Sequence, residues 1–191
     1  MFKDMKNPKG LSLIELTIVV AILGITALVV IPNYFSADPQ KIELAANTVS
    51  EALRYARSET MRTGEIHGVL FDTNDAESGA KDIKVFKADL AISPFGNADT
   101  RYHPLSKQPY DLWLDKGSFT QNVKFSSTTY PFSFQGVAQT KKHIFFTAQG
   151  IPVYVDDGVL SRFTGGDIQL AYGGHTRTIS IQPITGRVVV E

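Results

Sequence analysis

Residues 9–31 read KGLSLIELTIVVAILGITALVVI, and this stretch decides the fold class. Positions 11–31 are 21 residues with one charged side chain, Glu15. At about 1.5 Å per residue a helix of that length is roughly 31 Å long, close to a hydrocarbon core. Ahead of it, MFKDMKNPKG carries Lys3, Lys6 and Lys9 against Asp4. Basic residues of this kind stay cytoplasmic, which places the C-terminal bulk across the membrane. A buried globular helix is a competing reading, but the run is long, extreme and N-terminal. A cleaved secretory signal has a shorter apolar region followed by small residues. Here the small residue, Gly10, precedes the run. A membrane-anchored helix fits best. Glu15 is its anomaly: a carboxylate inside an apolar helix is costly and points to function. The bland alternative is a side chain near the headgroups, favoured by the helix dipole.

Outside this run the chain is ordinary. Its 191 residues favour one main domain with an adequate core. Nineteen basic residues balance 19 acidic ones, which argues against a sequence-wide nucleic-acid footprint. Mean hydropathy is −0.05 despite the apolar run, so the remainder is distinctly polar. Cysteine is absent, which removes disulfides, cysteine-ligated metals and thiol chemistry.

Pro32 is expected to end or kink the first helix. Helical spacing then resumes, with Ile42, Ala45, Ala46, Val49, Ala52, Leu53, Ala56 and Thr60 on one face. Lys41, Glu43, Ser50, Glu51, Arg54, Arg57 and Ser58 mostly take the other, where Glu51 and Arg54 can pair. Gly64 is the expected stop. Short strands follow at 66–71, 83–86, 123–126, 130–134, 143–147, 151–155, 168–172, 178–182 and 187–190. Gly173-Gly174 reads as a hairpin turn. This order gives an α+β fold: a long N-terminal helix packed on a mostly antiparallel sheet or sandwich head.

Residues 90–120 read as a long loop or insertion, with Pro94, Pro104, Pro109, Tyr102, Tyr110, Trp113 and Phe119. Such loops often carry function, and Tyr and Trp are common contact anchors. Tyr102, Tyr110 and Trp113 are therefore candidate partner contacts. The alternative is that Trp113 with Leu112 and Leu114 tucks the loop onto the core.

Little chemistry is written elsewhere. His67, His103, His143 and His175 stand singly, without metal-ligand spacing. Asp72, Asp75 and Glu77 lack a calcium-loop pattern. Asp156-Asp157-Gly158 reads as a turn. No nucleophile elbow, phosphate loop or dinucleotide fingerprint is present. Neither an enzyme nor a bound cofactor or metal is expected. Arg54, Arg57 and Arg62, or Lys141 and Lys142, remain as local basic patches.

The run from Lys9 to Glu15 followed by apolar residues resembles the class III signal of type IV prepilins and type II secretion pseudopilins. The resemblance implies cleavage between Gly10 and Leu11 by a prepilin peptidase, with N-methylation of Leu11. The family most often has phenylalanine at that first mature position. It also implies that Glu15 pairs with the N-terminal amine of a neighbouring subunit and sets axial register. Residues 52–64 (ALRYARSETMRTG), Phe145-Phe146 with Gly150, and 181–189 (IQPITGRVV) are similar to the GspH/FimT group of minor subunits.

The domain layout expected is a leader at 1–10, a transmembrane and assembly helix at 11–31, an amphipathic stalk helix at 32–64 and a periplasmic head at 65–191. The resemblance implies a minor pseudopilin of a type II secretion system, with a minor type IV pilin serving pilus assembly, adhesion or DNA uptake as the alternative. A non-polymerising anchored periplasmic module or enzyme is the third reading. The implied partners are the prepilin peptidase, other major and minor subunits, an inner-membrane assembly platform and the membrane itself; the charge balance argues against nucleic acid. Loss of the leader removes three lysines and one aspartate and takes the side-chain charge from 0 to −2.

Overall fold

The first helix, α1, runs over Leu13–Tyr34. Its start is set locally. Ser12 C=O accepts the N–H of Leu16 at 3.1 Å, and the Glu15 carboxylate accepts the N–H of Ser12 at 3.2 Å. That is the returning half of a capping box, in which an acidic residue satisfies an amide the helix leaves bare. Thr17 and Thr26 donate their hydroxyls back to the carbonyls of Ile14 and Ile22, at 2.9 and 3.0 Å. Their polar groups therefore need no water. The helix runs two residues past Pro32, so this proline lies in the last turn instead of ending the helix.

The computed structural model describes residues 12–34, 38–72, 82–88, 100–114, 116–117, 120–126, 131–156 and 158–191, with side chains left out at 27–34 and 156. Among the described residues no helix is long and apolar enough to cross a membrane. The described side chains of α1 end at Thr26, although its backbone is helical for 22 residues. The chain divides into two compact units, Met1–Ala37 and Asp38–Glu191.

The second unit begins with α2, Asp38–Thr63. Asp38 in the first turn suits the positive end of the helix dipole. All eight residues expected on the apolar face are buried. Ser50 is buried too, contrary to its expected place on the polar face, and donates its hydroxyl to the Asn47 carbonyl at 2.9 Å. Gly64, with φ of 75°, closes the helix: its N–H returns to Thr60 C=O at 2.8 Å. This is a left-handed cap that a side chain would strain.

Among the described residues eleven strands follow, all paired antiparallel. They are β1 (His67–Phe71), β2 (Ile83–Lys87), β3 (Asp111–Leu112), β4 (Lys124–Phe125), β5 (Ser133–Phe134), β6 (His143–Phe146), β7 (Pro152–Asp156), β8 (Val159–Gly165), β9 (Asp167–Tyr172), β10 (His175–Ile181) and β11 (Val188–Val190). One sheet has the order β3-β2-β1-β6-β7-β8-β5, the other β11-β10-β9-β4. The buried stripe of α2 packs on β1, β2 and β6 of the first sheet and on β9, β10 and β11 of the second. Four alanines in that stripe keep the helix close to both.

Phe71, Phe132, Phe145, Phe146 and Phe163 fill the core. Phe71–Phe132 and Phe132–Phe163 meet edge to face at 5.6 and 6.1 Å, each such pair adding about 0.5–1.5 kcal/mol beyond burial. Gly68 in β1 is required by close approach, since a Cβ there would lie 2.6 Å from the Phe145 ring. Gly173 and Gly174, at φ 57° and 79°, form the expected two-residue turn between β9 and β10.

Two parts differ from expectation. The segment 90–120 is not simply a loop over its described residues. Positions 101–110 form a hairpin closed by the Tyr102↔Pro109 bridge, and β3 adds a strand beside β2. β7 pairs with β8, a strand the apolar-run reading did not place, and Asp157 of the expected 156–158 turn lies outside the described residues.

Candidate assembly surfaces

Every described side chain of α1 is exposed, and its large apolar ones range from 80% at Leu13 to 49% at Val19. Nine are large and apolar: Leu13, Ile14, Leu16, Ile18, Val19, Val20, Ile22, Leu23 and Ile25. Burying one such residue fully stabilises by about 1.5–3 kcal/mol, so this helix has a strong drive to leave water. Glu15 stands on the same exposed surface, holding Ser12 N–H with one oxygen. Sequence reasoning placed Glu15 but passed over the Ser12-to-Glu15 spacing, which is the capping-box signal. Gly10 and Leu11 lie outside the described residues.

The end of α2 is clasped to the head by arginines. Arg54 donates to Val188 C=O at 3.4 Å, and Arg57 Nε to Gly150 C=O at 3.1 Å. Arg57 passes so close to Gly150 and Gly186 that a Cβ at either would lie within 3.1 Å of its Nε. Arg62 grips both oxygens of Glu59, at 2.6 and 3.0 Å, and Arg101 approaches Glu59 Oε1 at 3.3 Å. The Arg62 hydrogen bond comes first among the causes that hold the Glu59 carboxyl below its ordinary range. Of the three arginines in that basic patch, Arg54 and Arg57 fasten the helix to strand and turn carbonyls, while Arg62 is exposed and pairs with Glu59 of the same helix. The expected Glu51–Arg54 pair does not form, because the guanidinium reaches a strand carbonyl instead.

Above this lies the 101–110 hairpin. Tyr110 N–H donates to Arg101 C=O at 2.6 Å, and Arg101 N–H to Val85 C=O at 3.0 Å, fixing the hairpin to β2. Tyr110 is only 2% exposed and stacks on Tyr55 at 5.4 Å with 6° between the planes. Burial, aided by Glu51 and Tyr55, pushes its hydroxyl up to about 12. Tyr55 donates its own hydroxyl to Tyr102 C=O at 3.2 Å. The outer side is different: Tyr102 is 63% exposed and Leu105, at the tip, 86%. Trp113 is half-buried, with Lys116 Nζ 3.8 Å above its ring, while Leu114 is buried. The three candidate contacts therefore separate into an outward Tyr102, an internal Tyr110 and an intermediate Trp113. Phe119 lies outside the described residues. Alternation along the hairpin decides this, and the aromatic count alone does not reveal it.

His67 is fully buried, with Nδ1 2.7 Å from Glu65 C=O and Nε2 without a partner. Burial lowers it from its ordinary value, and lowers His143 to about 4. Among the described residues no cluster of three or more His, Cys, Asp or Glu could hold a metal ion; Asp75 and Glu77 lie outside them.

Residues 5–31 match the family of the prokaryotic N-terminal methylation motif. The type IV major fimbrial protein FimA of Dichelobacter nodosus is 31% identical over 127 residues, covering 62% of this chain and 73% of that protein. The type IV minor pilin FimU of Pseudomonas aeruginosa aligns in two crystal forms. One gives a TM-score of 0.43 at 19% identity over 78% of this chain and 91% of FimU, the other 0.42 at 18% over 80% and 90%. A methylation motif on an apolar helix, followed by sequence shared with a fimbrial subunit over most of that subunit's length, places this chain in the type IV pilin-like superfamily.

Proposed function

We propose that this chain is a minor subunit of a type IV pilus, cut by a prepilin peptidase between Gly10 and Leu11 and methylated on Leu11. The observation that carries this reading is α1, which over its described side chains exposes nine large apolar residues. The 31% identity to a fimbrial protein favours the pilus; the minor role is inferred from the GspH/FimT-like stretches at 52–64 and 181–189. Before assembly residues 11–31 rest in the inner membrane, with the head in the periplasm. Afterwards the same surface packs against other subunits on the assembly platform. The work is mechanical, not enzymatic, and needs no cofactor.

Cleavage creates a cation at Leu11, and Glu15 supplies an anion four residues on. In a low-dielectric bundle such charges are tolerable mainly when paired. Glu15 of one subunit therefore sets register against the next. Tyr102 and Trp113 offer the head's contacts, with Tyr110 supporting them from within. Glu15→Gln should leave membrane insertion unchanged and sharply reduce recovery in sheared filaments. Normal incorporation of that variant would sink the role given to Glu15.

A second reading, a minor pseudopilin of a type II secretion system, draws on the same resemblance. Deletion separates the two: loss of twitching or DNA uptake marks the pilus, and retention of exported proteins in the periplasm marks secretion.

A further inference from the structure

The turn closing the 101–110 hairpin is organised by an imidazole. His103 Nδ1 accepts the backbone N–H of Leu105 at 3.2 Å and that of Ser106 at 3.3 Å. A ring nitrogen accepts only when it carries no proton, so this arrangement requires the neutral ring with its proton on Nε2. The rest of the turn depends on the same residue. His103 N–H donates to Gln108 C=O at 2.8 Å, and His103 C=O accepts Lys107 N–H at 3.0 Å. Lys107 sits at φ 56°, a conformation non-glycine residues seldom adopt. The imidazole lies on the Tyr110 ring at 4.8 Å, which fixes its plane.

We propose that this turn is a proton-responsive switch: neutral His103 holds residues 104–107 in the closed turn that presents Tyr102 and Leu105, and protonation of His103 releases it. The proton enters on Nδ1, where two N–H groups already point. Both bonds are lost and three donors face one another. The ring must rotate away, or the amides of Leu105 and Ser106 must turn to water.

The surrounding charges do not restore the closed turn. Within the hairpin these are Arg101 and Lys107, with the hydroxyls of Tyr102 and Tyr110. On α2 they are Glu51, Tyr55, and Glu59 with Arg62. Burial raises Tyr110 and Tyr55, so both stay neutral. Glu59 is occupied by Arg62 and Arg101. Among the described residues His103 has no ion pair that could draw the new N–H elsewhere. The switch is a property of the turn and holds whichever filament the chain joins.

The test is an NMR titration of the full chain in detergent micelles between about pH 5 and 8, the range in which histidines change charge. The expected result is that the Leu105 and Ser106 amides shift with the same midpoint as the His103 ring. His103→Asn supplies a side-chain oxygen near the place of Nδ1 that does not titrate, so both amides should hold their neutral-pH positions throughout. His103→Phe keeps the stack without the acceptor, and both amides should take their released positions at every pH. The proposal is overturned if the amides stay fixed while the ring titrates, if the ring does not titrate in this range, or if His103→Asn titrates like the parent.

Discussion

The two helices share a backbone conformation and differ in what their side chains face. Over its described length α1 is apolar on every side and exposed on every side. The longer α2 has a single buried stripe, a polar remainder and arginines fastening its end to strands and turns. A helix apolar all round must find its surroundings outside its own chain, whereas a striped one finds them within. In the proposed function the first serves lipid or a bundle of subunits, and the second serves the head.

That contrast breaks most visibly in the cores. Leu53→Ala removes a fully buried side chain of α2 and should destabilise the head by about 2–5 kcal/mol. Ile18→Ala in α1 should leave the urea midpoint of the head unchanged and lower filament recovery instead. If both substitutions lowered the midpoint alike, the division of labour would be lost.

A smaller effect sharpens the account of the head. His143 binds its proton near pH 4 when folded and near 6.5 when unfolded. The unfolded chain therefore takes up more protons between those values, and stability falls as pH drops from about 6.5 to 4. His67, lowered by burial, acts in the same direction. Glu59, also lowered, adds stability above its unfolded value of 4.5 that is lost as pH falls further. Urea unfolding should show an acid loss, and His143→Phe should flatten it by on the order of 2 kcal/mol. An unchanged slope would show that His143 titrates normally.

The smallest effect concerns the clasp. Arg57→Gln removes one hydrogen bond from a partly exposed guanidinium to Gly150 C=O and should cost about 1 kcal/mol, read as a lower thermal midpoint. A midpoint equal to the parent's would mean that the Gly150 and Gly186 turns hold without it.

Periodicity made much of this legible in the sequence. Eight of the ten buried positions of α2, the Gly64 stop and the Gly173-Gly174 hairpin follow from spacing and from glycine's freedom at positive φ. β8 escaped because it starts with exposed Val159 and Leu160, so its alternation is weak at the end where a strand is recognised. β3 has only two residues and exists through pairing with β2, a long-range contact that leaves no local trace. Tyr102 and Tyr110 look alike in sequence, and hairpin register sends one outward and the other against Tyr55. His103 was legible only as a solitary histidine, because its role is set by two amides that the turn brings to its ring.

The central claim is that α1 becomes an assembly helix once the chain is cut ahead of it. Mass spectrometry of the mature N-terminus tests this most directly. The account predicts a chain beginning at Leu11 and carrying one methyl group on its amine; a protein that still begins at Met1 in membranes containing the peptidase would contradict it.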